Sequence, residues 1–374
     1  MTRDRTQLIG AALALLVLAV FVGLDLAIAP EVAILTALFG LAPLIACSVV
    51  PVRGTAVIGV LAIVAAVASG TWNGTMGTAQ QNVRIINVVL IGIAAIAIAA
   101  VRVHREHRFV QVSEIAQVAQ RAILPLLPAQ AGHVAIAARY QSAARGALVG
   151  GDLYDCYHSE DHIRIVVGDV RGKGITGVEQ AARVIRAFRQ AGALRATLAE
   201  VAEEMDDYLA GFFSEEEFVT ALLVEVTEPG VLRFVSAGHP GPQLVGPGGS
   251  TMLELPTGLP LGLGLRSPRH AYAETEVPWS PGDRLLMYTD GLSEARDAAG
   301  EFFPLTSLGP RLQKGSVHNA IEEVVAAATS HVPGGRLDDD LAVVVIEHLP
   351  VKTPVSDTQR RFDVRERASS RHAG

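Results

Sequence analysis

Charge is what this chain has little of. Only 18% of its 374 residues are Asp, Glu, Lys or Arg, where a soluble globular protein carries about a quarter. The shortage is local: residues 1–101 hold just seven charged side chains, Arg3, Asp4, Arg5, Asp25, Glu31, Arg53 and Arg84. The rest of the chain is charged to an ordinary degree. The mean hydropathy of +0.34 therefore averages an apolar N-terminal part and an enzyme-like remainder, which excludes a single soluble domain and a disordered chain. Basic excess is also missing. The formal charge is −7, and residues beyond Val101 are net acidic, so a phosphate backbone would be repelled and nucleic acid is not an expected partner. Two cysteines, Cys47 and Cys156, can build neither a disulfide framework nor a zinc site.

Four apolar runs, about 8–29, 32–50, 55–71 and 83–101, approach the 20 or so residues needed to cross a bilayer. The first exceeds a normal signal-peptide core, and three more follow it. Residues 1–101 are thus expected to be a membrane domain with four transmembrane helices. Arg3, Arg5, Arg53, Arg102, Arg105 and Arg108 lie beside alternate helix ends, whereas the stretches around Pro30 and Trp72–Gln81 lack Lys and Arg. The positive-inside rule then places the N-terminus and everything after the fourth helix in the cytoplasm, a multi-pass protein of the cell membrane with Trp72 as an interfacial anchor.

Residues 102–131 read as a charged helical connector with apolar Val110, Ile115, Val118, Ile123 and Leu126, ended by Pro125 and Pro128. It could pair with its copy in a homodimer or pack on its own domain. From residue 132 to 348 the pattern changes. VAIAARY, HIRIVVGDV, FVTALLVEV, VLRFVSAG, RLLMYTDG and LAVVVIEH read as strands, with helices at about 176–192, 195–211 and 315–330. Strands in runs and helices in runs point to an α+β layered domain rather than a βαβ fold. Residues 349–374 are polar and aperiodic, as expected of a disordered tail.

Aspartates mark the ends of these strands. Asp152 and Asp155 follow the Gly-Gly pair of GGDLYD, Asp169 ends VVGDV, Asp290 follows LLMYT, and Asp338, Asp339 and Asp340 precede LAVVVI. Each alone could be a turn or a helix cap. Together they bring several carboxylates to one sheet edge, where like charges repel unless a cation neutralises them. An oxygen-only ligand set suits Mg²⁺ or Mn²⁺.

The ordered series LVGGDLYDCY, VVGDVRGKG, EFVTALLVEV, FVSAGHPGP, PTGLPLGLG, DRLLMYTDGLSEARD and LDDDLAVVV resembles the SpoIIE-type branch of the PPM metal-dependent protein serine/threonine phosphatases. The resemblance covers about residues 115–348. It implies an α-β-β-α sandwich of two antiparallel sheets flanked by helices, and two Mn²⁺ or Mg²⁺ ions. It also implies hydrolysis of phosphoserine or phosphothreonine by a metal-bridging water, with no protein nucleophile, so that neither Cys156 nor Ser236 is assigned that part. Asp169 resembles the bridging ligand, with the Val170 carbonyl beside it. Asp290 and Asp339 resemble ligands of one metal, Asp340 and then Asp338 being the alternatives to Asp339. Asp152 resembles a further ligand or the residue that holds metal-bound water, so that Asp152 and Asp169 are the expected catalytic pair.

The substrate implied is a phosphorylated STAS-domain anti-anti-sigma factor or a similar phosphoprotein, and the helices between 176 and 211 resemble regulatory helices that can complete the metal site. His239 could be a general acid or a turn residue. Arg171 and Lys173 could hold the substrate anion or be plain loop residues, and Glu215, Glu216 and Glu217 read as a solvated face. Two rival readings are a catalytically silent membrane-bound scaffold of the same fold and, from GGD alone, a diguanylate cyclase. The intact aspartates argue against the first, and TDG and DDD are left unexplained by the second.

Overall fold

The computed structural model describes residues 2–28, 35–143, 150–160, 162–214, 216–227, 230–265 and 272–350, apart from the side chains of residues 2–4 and 109. The expected tail lies almost wholly outside the described residues, as does Glu215. The chain forms two compact units divided between Gln111 and Val112.

The first unit contains α1 (Thr2–Ala27), α2 (Leu41–Ala46), α3 (Val52–Trp72) and the start of α4 (Ala79–Ile123). Three of these helices, with mean hydropathies of 2.5, 2.0 and 2.4 in their most apolar parts, are long and apolar enough to cross a membrane. Four were expected. Among its described residues the second run does not form a long helix: a 3-10 turn at Thr36–Gly40 leads into the six-residue α2. Pro43 explains the break, because it has no N–H and its ring crowds the carbonyl four residues earlier. A turn at Cys47–Val49 and Pro51 then end the segment.

Small residues line the packed interior of this unit, among them Ala14, Ala42, Ala46, Ala62 and Ala66 around Phe39, and they let the helices approach closely. At one end the buried Asp25 carboxylate accepts from the Leu35 N–H (2.7 Å), the Trp72 indole (3.0 Å) and the Asn73 amide (2.9 Å). At the other the Arg102 guanidinium donates to the carbonyls of Cys47 (3.1 Å) and Val50 (2.7 Å). The broken segment therefore passes from the Asp25 end to the Arg102 end.

The second unit is a layered α+β domain. Its strands are β1 (Gln130–Ala131), β2 (Val134–Gln141), β3 (Leu153–His158), β4 (Ile163–Val170), β5 (Val219–Val226), β6 (Val231–Ala237), β7 (Gln243–Gly246), β8 (Gly249–Met252), β9 (Thr257–Gly258), β10 (Thr275–Pro278), β11 (Arg284–Tyr288) and β12 (Leu341–His348). One sheet has the order β1-β2-β12-β11-β7-β8, and the other β10-β6-β5-β4-β3 with β9 beside β6. Every pairing is antiparallel except β6 with β9. Between β4 and β5 come α5 (Ile175–Leu194) and α6 (Leu198–Ala210); α7 (Asp290–Ser293), α8 (Gly309–Leu312) and α9 (Val317–His331) lie between β11 and β12.

Three buried apolar layers hold the sandwich together. Ile165, Val167, Leu222 and Val224 meet Leu285, Met287, Val344 and Ile346 between the sheets. Alternate residues of β4 and β5, such as Val166 and Leu223, pack on Phe188 and Met205 of α5 and α6, while Val343 and Val345 pack on Ile321 and Val324 of α9. Strands covered on both faces read as continuous apolar runs, which is why β4, β5 and β12 stood out in the sequence.

The α5–α6 corner has its own fastening. Arg164 of β4, 1% exposed, pairs with Glu225 of β5 at 2.6 Å and donates to the carbonyls of Gly192, Arg195 and Ala196. Thr197 and Glu200 form a capping box at the start of α6.

Candidate metal centre

Hydrophobic strands deliver carboxylates to one end of the sandwich. Asp169 is the penultimate residue of β4, Asp152 immediately precedes β3, and Asp290 follows β11 as the first residue of α7. One oxygen of each lies within 4.8 Å of the others. Two glycines permit this convergence. A Cβ on Gly151 would sit 2.5 Å from the Val170 carbonyl oxygen, and one on Gly291 would collide with the Asp340 carbonyl.

Burial and mutual repulsion shape the electrostatics. Burial, followed by the charge of Asp169, holds Asp152 well above the carboxylate range despite its hydrogen bond from Thr289. Asp169 is pushed up to about 7, first by burial and then by Asp290. Burial and Asp339 likewise raise Asp290. Three carboxylates that resist ionising side by side form a hard-oxygen donor set suited to Mg²⁺ or Mn²⁺, and a divalent cation would relieve the repulsion.

The triple aspartate divides by burial. Asp338 is exposed. Asp340, 1% exposed, accepts from the Ala143 N–H (2.6 Å) through one oxygen and from the Gly150 N–H (2.5 Å) through the other, which also lies 2.5 Å from the Tyr140 hydroxyl. Asp339 points elsewhere: both of its oxygens accept from the Lys173 ammonium, at 3.2 and 3.0 Å. It lies outside the close triad but near enough to raise Asp169 and Asp290. Val170 ends β4 with its N–H donating to the Gly151 carbonyl at 3.3 Å.

His239 is buried between the sheets. Its Nε2 lies 3.0 Å from the Tyr288 carbonyl, which can only accept, so Nε2 carries the proton; Nδ1, 3.1 Å from the Thr220 hydroxyl, is then the acceptor. Burial lowers its pKa to about 4. This is a neutral cross-brace rather than an acid open to substrate. Arg171 lies over the Phe218 ring, and Glu217 accepts from Gln180 and from the Ser214 N–H, so both serve the loop before β5. Glu216 is exposed. The Cys156 thiol is raised to about 12, chiefly by burial, and behaves as a packing residue.

Three supporting residues escaped the sequence reading. The Thr289 hydroxyl donates to Asp152 Oδ2 at 2.6 Å and accepts from the Ala342 N–H at 2.9 Å, tying β11, β12 and Asp152 together. Its place in TDG was the available signal. Gln120, near the end of α4 and fully buried, donates to the Asp152 carbonyl at 3.1 Å, and its Oε1 accepts from the Tyr140 hydroxyl at 2.7 Å. Nothing local in the sequence marks Gln120 or Tyr140, because their partners are remote along the chain.

The family model for stage II sporulation protein E (SpoIIE) matches residues 159–349, just over half of the chain. The chain belongs to the SpoIIE family. Within the PPM phosphatases this is the branch that the ordered motifs resembled. Among solved structures the chain is similar to the SiaA PP2C domain of Pseudomonas aeruginosa, at 24% identity over 67% of this chain and 99% of that one, with a TM-score of 0.53. It is also similar to the RsbU and RsbW domains of a Mycobacterium tuberculosis protein (23% identity, 66% and 73% covered, TM-score 0.49). A third is the PP2C domain, with a fragment of the regulatory domain, of SpoIIE from Bacillus subtilis (17% identity, 58% and 64% covered, TM-score 0.49). The SiaA likeness fixes the fold as PP2C-type, in agreement with the observed α-β-β-α layers. Asp152 precedes the matched SpoIIE segment, and geometry alone joins it to Asp169 and Asp290.

Proposed function

We propose that this SpoIIE-family chain is a membrane-anchored, divalent-metal-dependent protein serine/threonine phosphatase. The observation that carries the reading is the close triad of buried Asp152 with the half-buried Asp169 and Asp290, three carboxylates whose mutual repulsion a cation would relieve. Asp169, Asp290 and Asp339, with the Val170 carbonyl, would hold two Mn²⁺ or Mg²⁺ ions, and Asp152 would be a further ligand or orient water. Bound there, such ions supply Lewis acidity for water attack on a phosphomonoester. Thr289 orients Asp152, and α5 with α6 covers the sheet that carries Asp169. Asp340, whose oxygens are engaged by the Ala143 and Gly150 N–H groups, holds those two residues beside the start of β12.

The substrate that the family resemblance suggests is a phosphoserine or phosphothreonine on a STAS-domain anti-anti-sigma factor. Exposed Val112, Ile115 and Val118 on α4 suit a homodimer through the connector. With the arginine-bearing helix ends in the cytoplasm, the phosphatase domain would lie there too.

The test is Mn²⁺-dependent phosphate release from a phosphoserine STAS protein by the full chain in detergent. Asp169→Ala is expected to lower the rate by about 100-fold or more while the protein still folds, because it removes a carboxylate that would hold the ions supplying the Lewis acidity. An unchanged rate would refute the metal centre, and a native chain that releases no phosphate would favour the silent scaffold.

A further inference from the structure

Lys173 sits where a cation is wanted. Its ammonium donates to both oxygens of Asp339, and the two side chains are 50% and 45% exposed. The same charge also lowers Asp169 and Asp290 against the repulsion that raises them. Lys173 stands on a loop between Gly172 and Gly174, the latter at φ 78, a backbone conformation that favours glycine. A half-exposed ion pair is weak, so a divalent ion that several carboxylates can share outcompetes a single ammonium for Asp339. The displaced ammonium stays on its flexible four-carbon stem beside a group that is now neutralised by cations. It is then free to meet an anion arriving over those cations, and lysine binds phosphate as a point charge.

We propose that Lys173 is an exchangeable counter-ion: it holds Asp339 until a divalent cation displaces it, and then binds the phosphoryl group of the substrate. This rests on the phosphatase reading for the identity of the anion, but the exchange at Asp339 can be measured without turnover. The full chain in detergent is titrated calorimetrically with MnCl₂ and, at saturating Mn²⁺, with inorganic phosphate, comparing native protein, Lys173→Gln and Lys173→Arg. Lys173→Gln, which keeps the length and loses the charge, is expected to bind the weaker Mn²⁺ about two- to fivefold tighter, the value of an exposed pair. Phosphate is expected to bind it about tenfold more weakly, the value of a hydrogen bond to a charged group. Lys173→Arg restores both affinities to near the native level.

Mn²⁺ affinity that is unchanged or weaker in Lys173→Gln overturns the proposal, and so does unchanged phosphate affinity; circular dichroism establishes that each variant is folded. A protein that shows the expected pair of shifts yet never hydrolyses phosphoserine would overturn the phosphatase reading and leave the exchange intact.

Discussion

At Asp169 the surroundings of a single carboxyl group set a pH dependence of stability. Its pKa of about 7, against an ordinary 3.8, is set first by burial and then by Asp290. An acid with a raised pKa keeps its proton in the folded state after the unfolded chain has lost it, so stability falls as pH climbs from about 4 through about 7. The cation-free protein is therefore expected to melt at a lower temperature at pH 8 than at pH 5. Asp169→Asn should lessen that slope and stabilise the cation-free protein at pH 8 by on the order of 2 kcal/mol, while weakening Mn²⁺ binding if Asp169 is a ligand. Scanning calorimetry with chelator across this range measures both effects, and Mn²⁺ should restore native stability at pH 8 because bound cations favour the ionised carboxylates.

The strand-end placement of Asp152, Asp169 and Asp290 was legible in the sequence because apolar strands punctuated by Asp and Gly are a local signal. The difference between Asp339 and Asp340 was not. It depends on the Ala143 and Gly150 N–H groups and the Tyr140 hydroxyl, about 200 residues away, which engage one carboxylate and leave its neighbour to Lys173.

At the scale of elements, the long central strands could be read directly, since β4, β5 and β12 are apolar at nearly every position and bounded by turn residues. β3 lay hidden inside the GGDLYDCY motif, and β7 to β10 are too short, at two to four residues, to show a period. α4 was read as a span followed by a connector, and its last turns carry a contact that periodicity does not reveal. Gln120 joins that helix to the Asp152 carbonyl and to Tyr140. Gln120→Leu, similar in volume but apolar, should leave the Asp152 carbonyl without its donor, while the Tyr140 hydroxyl keeps Asp340, and cost about 1–3 kcal/mol. Since Asp152 would lose its backbone support, Mn²⁺ affinity should also fall, by about tenfold on the scale seen when groups behind metal ligands are removed. Ile115→Ala, on the exposed face of the same helix, should change stability by no more than about 0.5 kcal/mol and leave Mn²⁺ affinity unaltered. Thermal unfolding and Mn²⁺ titration of the full chain separate the two, and equal behaviour of the variants would sever the connector from the metal centre.

The whole molecule is two chemistries on one chain, as the segregation of charge announced: an apolar unit with seven charged side chains and an acidic domain whose carboxylates partly converge. Counting four apolar runs was not enough to give four helices, because hydropathy measures composition and Pro43 decides backbone geometry. Yet the broken segment still joins the Asp25 end of its unit to the Arg102 end, so the chain changes ends as often as four helices would require. The arginines at positions 53 and 102 share one end with residues 47–50, and Asp25, Trp72 and Asn73 share the other. With the arginine end in the cytoplasm, the turn after α3 must face outward. A cysteine placed at Met76, an exposed position in that turn, should react with a membrane-impermeant maleimide in intact cells, in a background where Cys47 and Cys156 are replaced by Ala. A cysteine at Ser214 should react only after lysis. The reverse pattern would put the phosphatase domain outside and remove any cytoplasmic phosphoprotein from consideration, whereas labelling at neither site before lysis would mean that the turn never reaches the outer face and that the apolar unit lies on the membrane rather than across it.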